Sequence, residues 1–403
     1  MPPRKRVPCD GALHPARGVE LHILGEEGIL FDRSAQTLYR LNGAATCVWC
    51  HLEQESDAAA VAAATARSLG IERDSAAGYV RDIVGQWRDL GLLAGSKPQG
   101  RPRHVKAERV RVDEAPVGAG CAGGRSYRLL NSIVSITFSD RTLEERVCPI
   151  LQHLEITSAA GADIALVVTA IPGRCEVRSD GRILASCNAP EALAPLVEGL
   201  LLHLAVRRCR YFIALHAAAV ASPEGCLLLP GPSGSGKTTL AAGLADAGWS
   251  YMSDDIVLLE EQDLNAVSVP ESLCIKEGAW VTMSRRWPSL AGLVPHLRHD
   301  GKRARYLAPP WTIGGHDGTG IRVRWIVFPR YRPDAATALR PLTPAEGLQR
   351  LVALCSGLRE SLDSDKVRRL VGWAAGIDSF EMDVSDLDSA VSCLCALVPT
   401  ERR

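Results

Sequence analysis

The 403-residue chain has no apolar run near the ~18 residues that a membrane-spanning helix needs, and the basic start at residues 1–6 is not followed by a signal-peptide core. These absences argue against a helical membrane span and predict a cytoplasmic protein. An excess of either charge is also missing: Lys and Arg number 46, as do Asp and Glu, so no global field draws the chain to nucleic acid or an anionic membrane. Any charged partner must be selected locally. The 13 cysteines include one CxxC, Cys47 and Cys50, but no second CxxC or His pair at zinc spacing. They are odd in number and mostly scattered singly in apolar stretches, as at Cys226, Cys274 and Cys355, which fits reduced core thiols better than a disulfide framework. Cys47 and Cys50 lie in an apolar helical pattern and read as small hydrophobes.

With 46% hydrophobic and 23% charged residues the composition is that of a globular protein, and the length suggests two or three domains at about 150 residues each. Residues 19–95 open with apolar segments at 21–24, 28–31 and 37–41 separated by polar turns, which predict a small three-stranded sheet. Three helices should follow: 43–52; a second from the N-cap Asp57 to Leu69, stopped by Gly70; and 76–90, where Val80, Ile83, Val84, Trp87 and Leu90 share one face. Three strands then three helices is a winged-helix-like module. Its last helix balances Arg81 and Arg88 with Asp82 and Asp89, which is not a phosphate-reading face, so no nucleic acid is expected.

Residues 96–124 are rich in Pro, Gly and Arg and read as a linker, whose Arg101, Arg103, Lys106, Arg109 and Arg111 keep it solvated or meet an acidic peptide. Residues 125–206 mix extended segments at 126–138, 163–171, 174–177 and 183–186 with a helix at 193–204 that carries a strong apolar face. This is an α+β lead-in to a catalytic core at 207–403.

Within that core the apolar strand 226–230 runs directly into Gly231, Pro232, Ser233, Gly234, Ser235, Gly236, Lys237 and Thr238, followed by Thr239 and a helix. Strand, glycine loop and helix together make a phosphate-binding loop: glycines turn backbone N–H groups toward phosphate oxygens, and the helix N-terminus adds positive potential. Lys237 should reach the β- and γ-phosphates of ATP, and Thr238 should offer an oxygen to Mg²⁺. A second strand, 249–252, ends in Ser253, Asp254 and Asp255. Paired carboxylates at the carboxyl end of a strand in an open α/β sheet fall where ligands bind, and one can hold a metal while the other accepts a proton. His216 lies on the extended segment 212–220 just upstream. Alone it reads as a core histidine.

Taken together, His216, the loop and the Asp254–Asp255 pair resemble the core of the HPr kinase/phosphorylase family. Lys237 follows His216 by 21 residues and Asp254 follows Lys237 by 17, intervals compatible with that family. The resemblance is close over 214–260 and looser beyond. It implies an α/β P-loop kinase core of the HPr kinase type, with Asp254 as base toward a serine hydroxyl, Asp255 as a Mg²⁺ ligand and His216 beside the phosphates. The glycine-rich signature that follows the Asp pair in HPr kinases is absent. Val269 to Gly278 instead resembles an HPr-kinase-related branch, which makes Glu277 a candidate metal contact and Lys276 a candidate phosphate contact and takes HPr away as the expected substrate.

A second resemblance covers 20–93. The run from Tyr39 through Leu41, Asn42, Val48 and Trp49 is similar to the strand-to-helix signature of the PqqD family, whose members recognise precursor peptides of ribosomally made natural products. By that resemblance a leader peptide would add to the edge at 37–41, with helix 76–90 as the other wall. Leu41, Val48 and Trp49 themselves are expected in the core. Joined, the two resemblances imply a cytoplasmic kinase that captures a leader peptide and phosphorylates a Ser (or Thr) of a precursor peptide, such as a lasso-type peptide, from ATP·Mg²⁺. Lys302, Arg303, Arg305, Arg322 and Arg324 are candidates for a further cation on the phosphates, and a homo-oligomer is compatible with this reading. Two rivals remain open: a kinase of a non-peptide substrate, and a nucleotide-dependent switch without phosphoryl transfer.

Overall fold

A computed structural model of the chain describes residues 13–96, 124–157, 161–315 and 318–398. The basic start and nearly all of the 96–124 linker, with Arg101, Arg103, Lys106, Arg109 and Arg111, lie outside these. The described residues form two compact units.

The first unit begins with β1 (Val19–Leu24), β2 (Glu27–Asp32) and β3 (Thr37–Leu41), an antiparallel sheet in that order, followed by α1 (Gly43–Leu52), α2 (Ala58–Leu69) and α3 (Arg73–Asp89). Local chemistry explains the helix boundaries. Asn42 and Asp57 accept the N–H groups of Ala45 and Ala60, and Gly70, at φ 66°, ends α2 in the left-handed conformation. Helix α3 starts three residues before the apolar periodicity does, because its exposed first turn carries no apolar signal. Leu41, Val48 and Trp49 are buried as expected, and the Trp49 and Trp87 rings meet edge to face at 4.9 Å.

The second unit opens with a six-stranded sheet ordered β6-β4-β5-β7-β8-β9. Its strands are β4 (Arg125–Leu129), β5 (Ser132–Phe138), β6 (Glu155–Ile156), β7 (Ile164–Ile171), β8 (Arg174–Ser179) and β9 (Arg182–Cys187). Helices α4 (Arg141–Leu151) and α5 (Leu193–Arg208) share one apolar core with it. Helix α4 is not signalled by apolar periodicity, because Pro149 interrupts its pattern in the last turn.

A nine-stranded sheet follows, along the path β14-β13-β10-β11-β18-β21-β19, with β12 and β20 also paired to β10. Its first members are β10 (Ile213–Ser222), β11 (Gly225–Pro230), β12 (Ser250–Ser253), β13 (Ile256–Leu259) and β14 (Ala266–Val267), with α6 (Lys237–Asp246) leaving β11 through the glycine loop. A small sheet of β15 (Leu273–Lys276), β16 (His296–Leu297) and β17 (Arg303–Leu307), with α7 (Trp280–Arg286), precedes the remaining strands. These are β18 (Val323–Tyr331), β19 (Ala338–Leu342), β20 (Cys355–Leu358) and β21 (Asp378–Val384). Helix α10 (Leu387–Cys395) packs on α6. Strands β11, β18 and β21 are parallel neighbours, so the loop after β11 sits at the carboxyl edge of a parallel stretch, where open α/β sheets bind ligands.

Two late helices, α8 (Pro344–Ala353) and α9 (Ser364–Ala374), belong to the first unit. Successive strand residues face opposite sides, yet Ile29, Leu30 and Phe31 of β2 are all at most 1% exposed, so both faces of the small sheet are covered. Leu30 packs with α1 and α3; on the other face α8 lies over β2 and β3, and α9 over β1 and β2. Leu370 on α9 is buried, so Leu370→Ala is expected to destabilise this unit by about 2–5 kcal/mol. Urea unfolding followed by tryptophan fluorescence checks this; an unchanged transition would place α9 outside the core of the unit.

Candidate active site

The turn out of β11 is built by glycine where backbone geometry demands it. Gly234 and Gly236 sit at φ +89° and +96°, the region that side chains disfavour. Gly231 is limited by space instead: a Cβ there would lie 2.7 Å from Ser235 Oγ. The loop delivers the chain to the N-terminus of α6, whose first N–H groups have no intrahelical acceptor. Ser235 Oγ is buried and lacks a hydrogen-bond partner among the described residues. An unsatisfied buried hydroxyl inside a glycine cradle at a helix start fits an oxygen-rich anion such as a nucleotide phosphate.

Lys237 is only 6% exposed, and its Nζ donates to the carbonyls of Gly231 (2.7 Å) and Pro232 (3.1 Å). Burial draws its pKa below the ordinary lysine value, with Lys276 adding to this and Asp255 and Asp254 opposing it. The same Nζ lies 3.3 Å from His216 Nε2. Ser233 Oγ is 2.5 Å from Lys276 Nζ, so a second ammonium reaches the loop.

Register places the two carboxylates. Strand β10 pairs with β13 over Ile213 to His216 and with β12 over Ala219 to Ala221, and the break between those partners is the Asp254–Asp255 pair. Their environments differ sharply. Asp254 is 3% exposed and accepts from the Cys274 N–H (3.2 Å), the Tyr251 hydroxyl (3.4 Å) and the Thr238 side chain. Burial, reinforced by the charge of Asp255, pushes its pKa up to about 6. The Asp255 side chain is 62% exposed, with Oδ1 3.2 Å from His216 Nδ1, and that hydrogen bond holds its carboxyl below the usual range. His216 thus bridges Lys237 and Asp255.

Behind Asp254 lies an acidic interior that the sequence reading did not include. Glu198 on α5 accepts from the Ser272 N–H at 3.1 Å, and burial pushes its pKa up to about 8. Burial also raises Glu271, whose Oε2 has no partner among the described residues. The counter-charge is Arg298, which donates to Cys274 Sγ at 2.8 Å and whose field lowers Glu198 and Asp255. A carboxylate on an apolar helix, Glu198 amid Ala194, Leu201 and Ala205, was a readable signal; Arg298 had none, since only tertiary packing brings its turn here.

The other expected residues disperse. Thr239 is half-buried in the first turn of α6, and Glu277 is exposed, with no hydrogen bond or ion pair to Thr238 or Asp255 among the described residues. Arg305 stacks 4.3 Å over the Trp280 ring, and Lys302 and Arg303 are exposed at the start of β17. Arg322 and Arg324 flank Gly225, at the end of β11 away from the loop. No group of three or more His, Cys, Asp and Glu side chains poised for a metal lies among the described residues. Mg²⁺ keeps water and phosphate ligands and needs few protein oxygens, and Thr238 with the carboxylate pair supplies that kind of donor set.

The shifted pKa of Asp254 has a stability consequence. Its folded value, about 6, lies above the 3.8 of an ordinary aspartate, so the unfolded chain releases this proton first and the ionised group costs stability as pH rises through that window. Asp254→Asn is therefore expected to raise the thermal midpoint above pH 6 and leave it nearly unchanged below pH 3.8. Thermal scans across pH check this; an equal shift at both ends would contradict a buried, reluctantly ionised carboxylate.

Comparison with known proteins gives three findings. Residues 27–93 match the family described as coenzyme PQQ synthesis protein D (PqqD), so the N-terminal part of the chain holds a PqqD domain; no curated protein matches the chain. The solved structure of TbiB1 in complex with the TbiA(beta) leader peptide is similar at 18% identity and TM-score 0.20, covering 21% of this chain and 98% of that one. The HPr(Ser) kinase/phosphatase from Coxiella burnetii is similar at 12% identity and TM-score 0.20, covering 46% of this chain and 93% of that one. No helix among the described residues is long and apolar enough to cross a membrane.

Proposed function

We propose that the chain is an ATP·Mg²⁺-dependent kinase that captures a precursor peptide through its PqqD domain and phosphorylates a serine or threonine hydroxyl of it in the cytoplasm. The observation that carries this reading is the convergence, around one glycine loop, of Lys237, the hydroxyl of Thr238, a buried carboxylate near pKa 6 and a His–carboxylate pair. Phosphoryl transfer needs little more than positioning and charge neutralisation, and these groups provide both. The loop N–H groups, Ser235, Lys237 and Lys276 hold the phosphates. Thr238 and Asp255 would hold Mg²⁺, whose charge would offset that of the phosphates. The substrate oxygen bonds to the γ-phosphorus as the bond to the β-phosphate oxygen breaks, ADP departs, and the hydroxyl proton passes to Asp254.

One observation favours a second assignment of the base. Asp255 is exposed and paired with His216, whereas Asp254 is enclosed by three donors, one of them on Thr238. In that assignment Asp254 stands on the metal side, and the His216–Asp255 pair takes the proton. Both assignments predict the same overall reaction. ADP formation that rises on adding a Ser-bearing precursor peptide tests it; ADP formation indifferent to every such peptide argues for a non-peptide substrate.

A further inference from the structure

Strand β3 is an outer strand of its sheet, and an outer strand is where an extended chain can add by pairing. The groove beside it has two walls: Ile83, Trp87 and Leu90 of α3 on one side, and Gln349 of α8 on the other. The one strong charge in it is neutralised, since Arg40 pairs with Glu27 at 2.6 Å and with Glu346 of α8 at 3.2 Å. What remains is a mixed surface, in which Ile83, Trp87 and Leu90 offer an apolar seat beside the uncharged polar groups of Tyr39, Asn42, Gln86 and Gln349. That chemistry fits an extended, uncharged stretch of peptide with an apolar anchor, not an acidic or basic one.

Helix α8 leads directly into the catalytic sheet. It ends at Ala353, and the carbonyl of the next residue, Leu354, accepts the His216 N–H at 3.1 Å before β20 pairs with β10. The His216 carbonyl in turn accepts the Gly231 N–H at 3.4 Å. On one edge of β10, His216 is therefore the residue at which the partner changes from the phosphate-loop strand to the continuation of α8.

We propose that α8 is the second wall of the peptide groove and that peptide occupancy is communicated through the Ala353–Leu354 junction to His216 and the phosphate loop, so that peptide and nucleotide bind cooperatively. This rests on reading β3 as a peptide edge and the loop as a nucleotide site. Because coupling between two ligands is reciprocal, it is measurable without any phosphoryl transfer.

The test uses the full chain, ADP·Mg²⁺, and a fluorescein-labelled uncharged peptide selected for binding from a synthetic library. Saturating peptide is expected to tighten ADP binding about fivefold or more, and ADP to tighten peptide binding by the same factor. Gln349→Ala, at an exposed position, should weaken the peptide. Two glycines inserted between Ala353 and Leu354 should preserve each affinity measured alone and abolish the mutual shift. If both ligands bind the wild-type chain with no mutual shift, or the glycine insertion leaves the shift intact, the communication is overturned while the two sites stand. If no peptide binds, or ADP does not, the underlying reading of that site falls and the proposal with it.

Discussion

Lys237→Ala is expected to leave a folded protein that turns over ATP about 10²–10³-fold more slowly, the usual scale for removing one preorganised donor from developing charge. The size of the effect follows from the placement of the ammonium. It is buried, held by two loop carbonyls, and bracketed by His216 and the carboxylate pair, so no solvent cation replaces it. Burial already lowers its pKa, which makes it a group that gains from meeting phosphate charge. Calorimetry with a non-hydrolysable ATP analogue should show weakened binding alongside the lost turnover. Unchanged affinity together with unchanged turnover would remove the glycine loop from the mechanism.

The second large effect is expected at Asp254. Asp254→Asn keeps size and hydrogen-bonding capacity but removes basicity, so ATP·Mg²⁺ should still bind through Lys237, Thr238 and Asp255 while peptide phosphorylation falls about 10²-fold or more. Asp255→Asn should instead raise the Mg²⁺ concentration needed for half-maximal rate. The pair of variants separates the two assignments of the base. An Asp254→Asn loss that added Mg²⁺ restores, with losses in Asp255→Asn and in His216→Ala that Mg²⁺ does not restore, would give the proton to the His216–Asp255 pair. The stability gain expected for Asp254→Asn above pH 6 would make a trade explicit: on the proposed reading, a carboxylate held at a cost in the interior serves the chemistry.

Much of the site was legible because it is written in local sequence. The glycine loop needs left-handed backbone at Gly234 and Gly236, and its context of strand then helix is contiguous, so Lys237 and Thr238 follow from spacing alone. The three strands and three helices at the N-terminus were legible for the same reason, through apolar segments set between polar turns, the cap at Asp57 and the stop at Gly70. What escaped is tertiary. Nothing in the linear pattern says that α8 and α9, more than three hundred residues after β2, close over Ile29 and Phe31, although the unbroken apolar run Ile29-Leu30-Phe31 did signal burial on both faces. Arg298 acts on the acidic interior from a turn with no motif, whereas Arg305 stacks on Trp280 and Arg322 and Arg324 flank Gly225. The contrast between a buried Asp254 and an exposed Asp255 is likewise invisible in a dipeptide; it comes from the break between β12 and β13 opposite β10.

The most direct test of the central claim is intact-mass spectrometry of a precursor peptide incubated with the wild-type chain, ATP and Mg²⁺, with ADP quantified in the same reaction. The account predicts one added phosphate on the peptide and an equal amount of ADP formed. A chain that binds both ATP and the leader segment yet leaves every Ser- or Thr-bearing precursor peptide at its original mass would contradict it, and would make the protein a nucleotide-dependent switch.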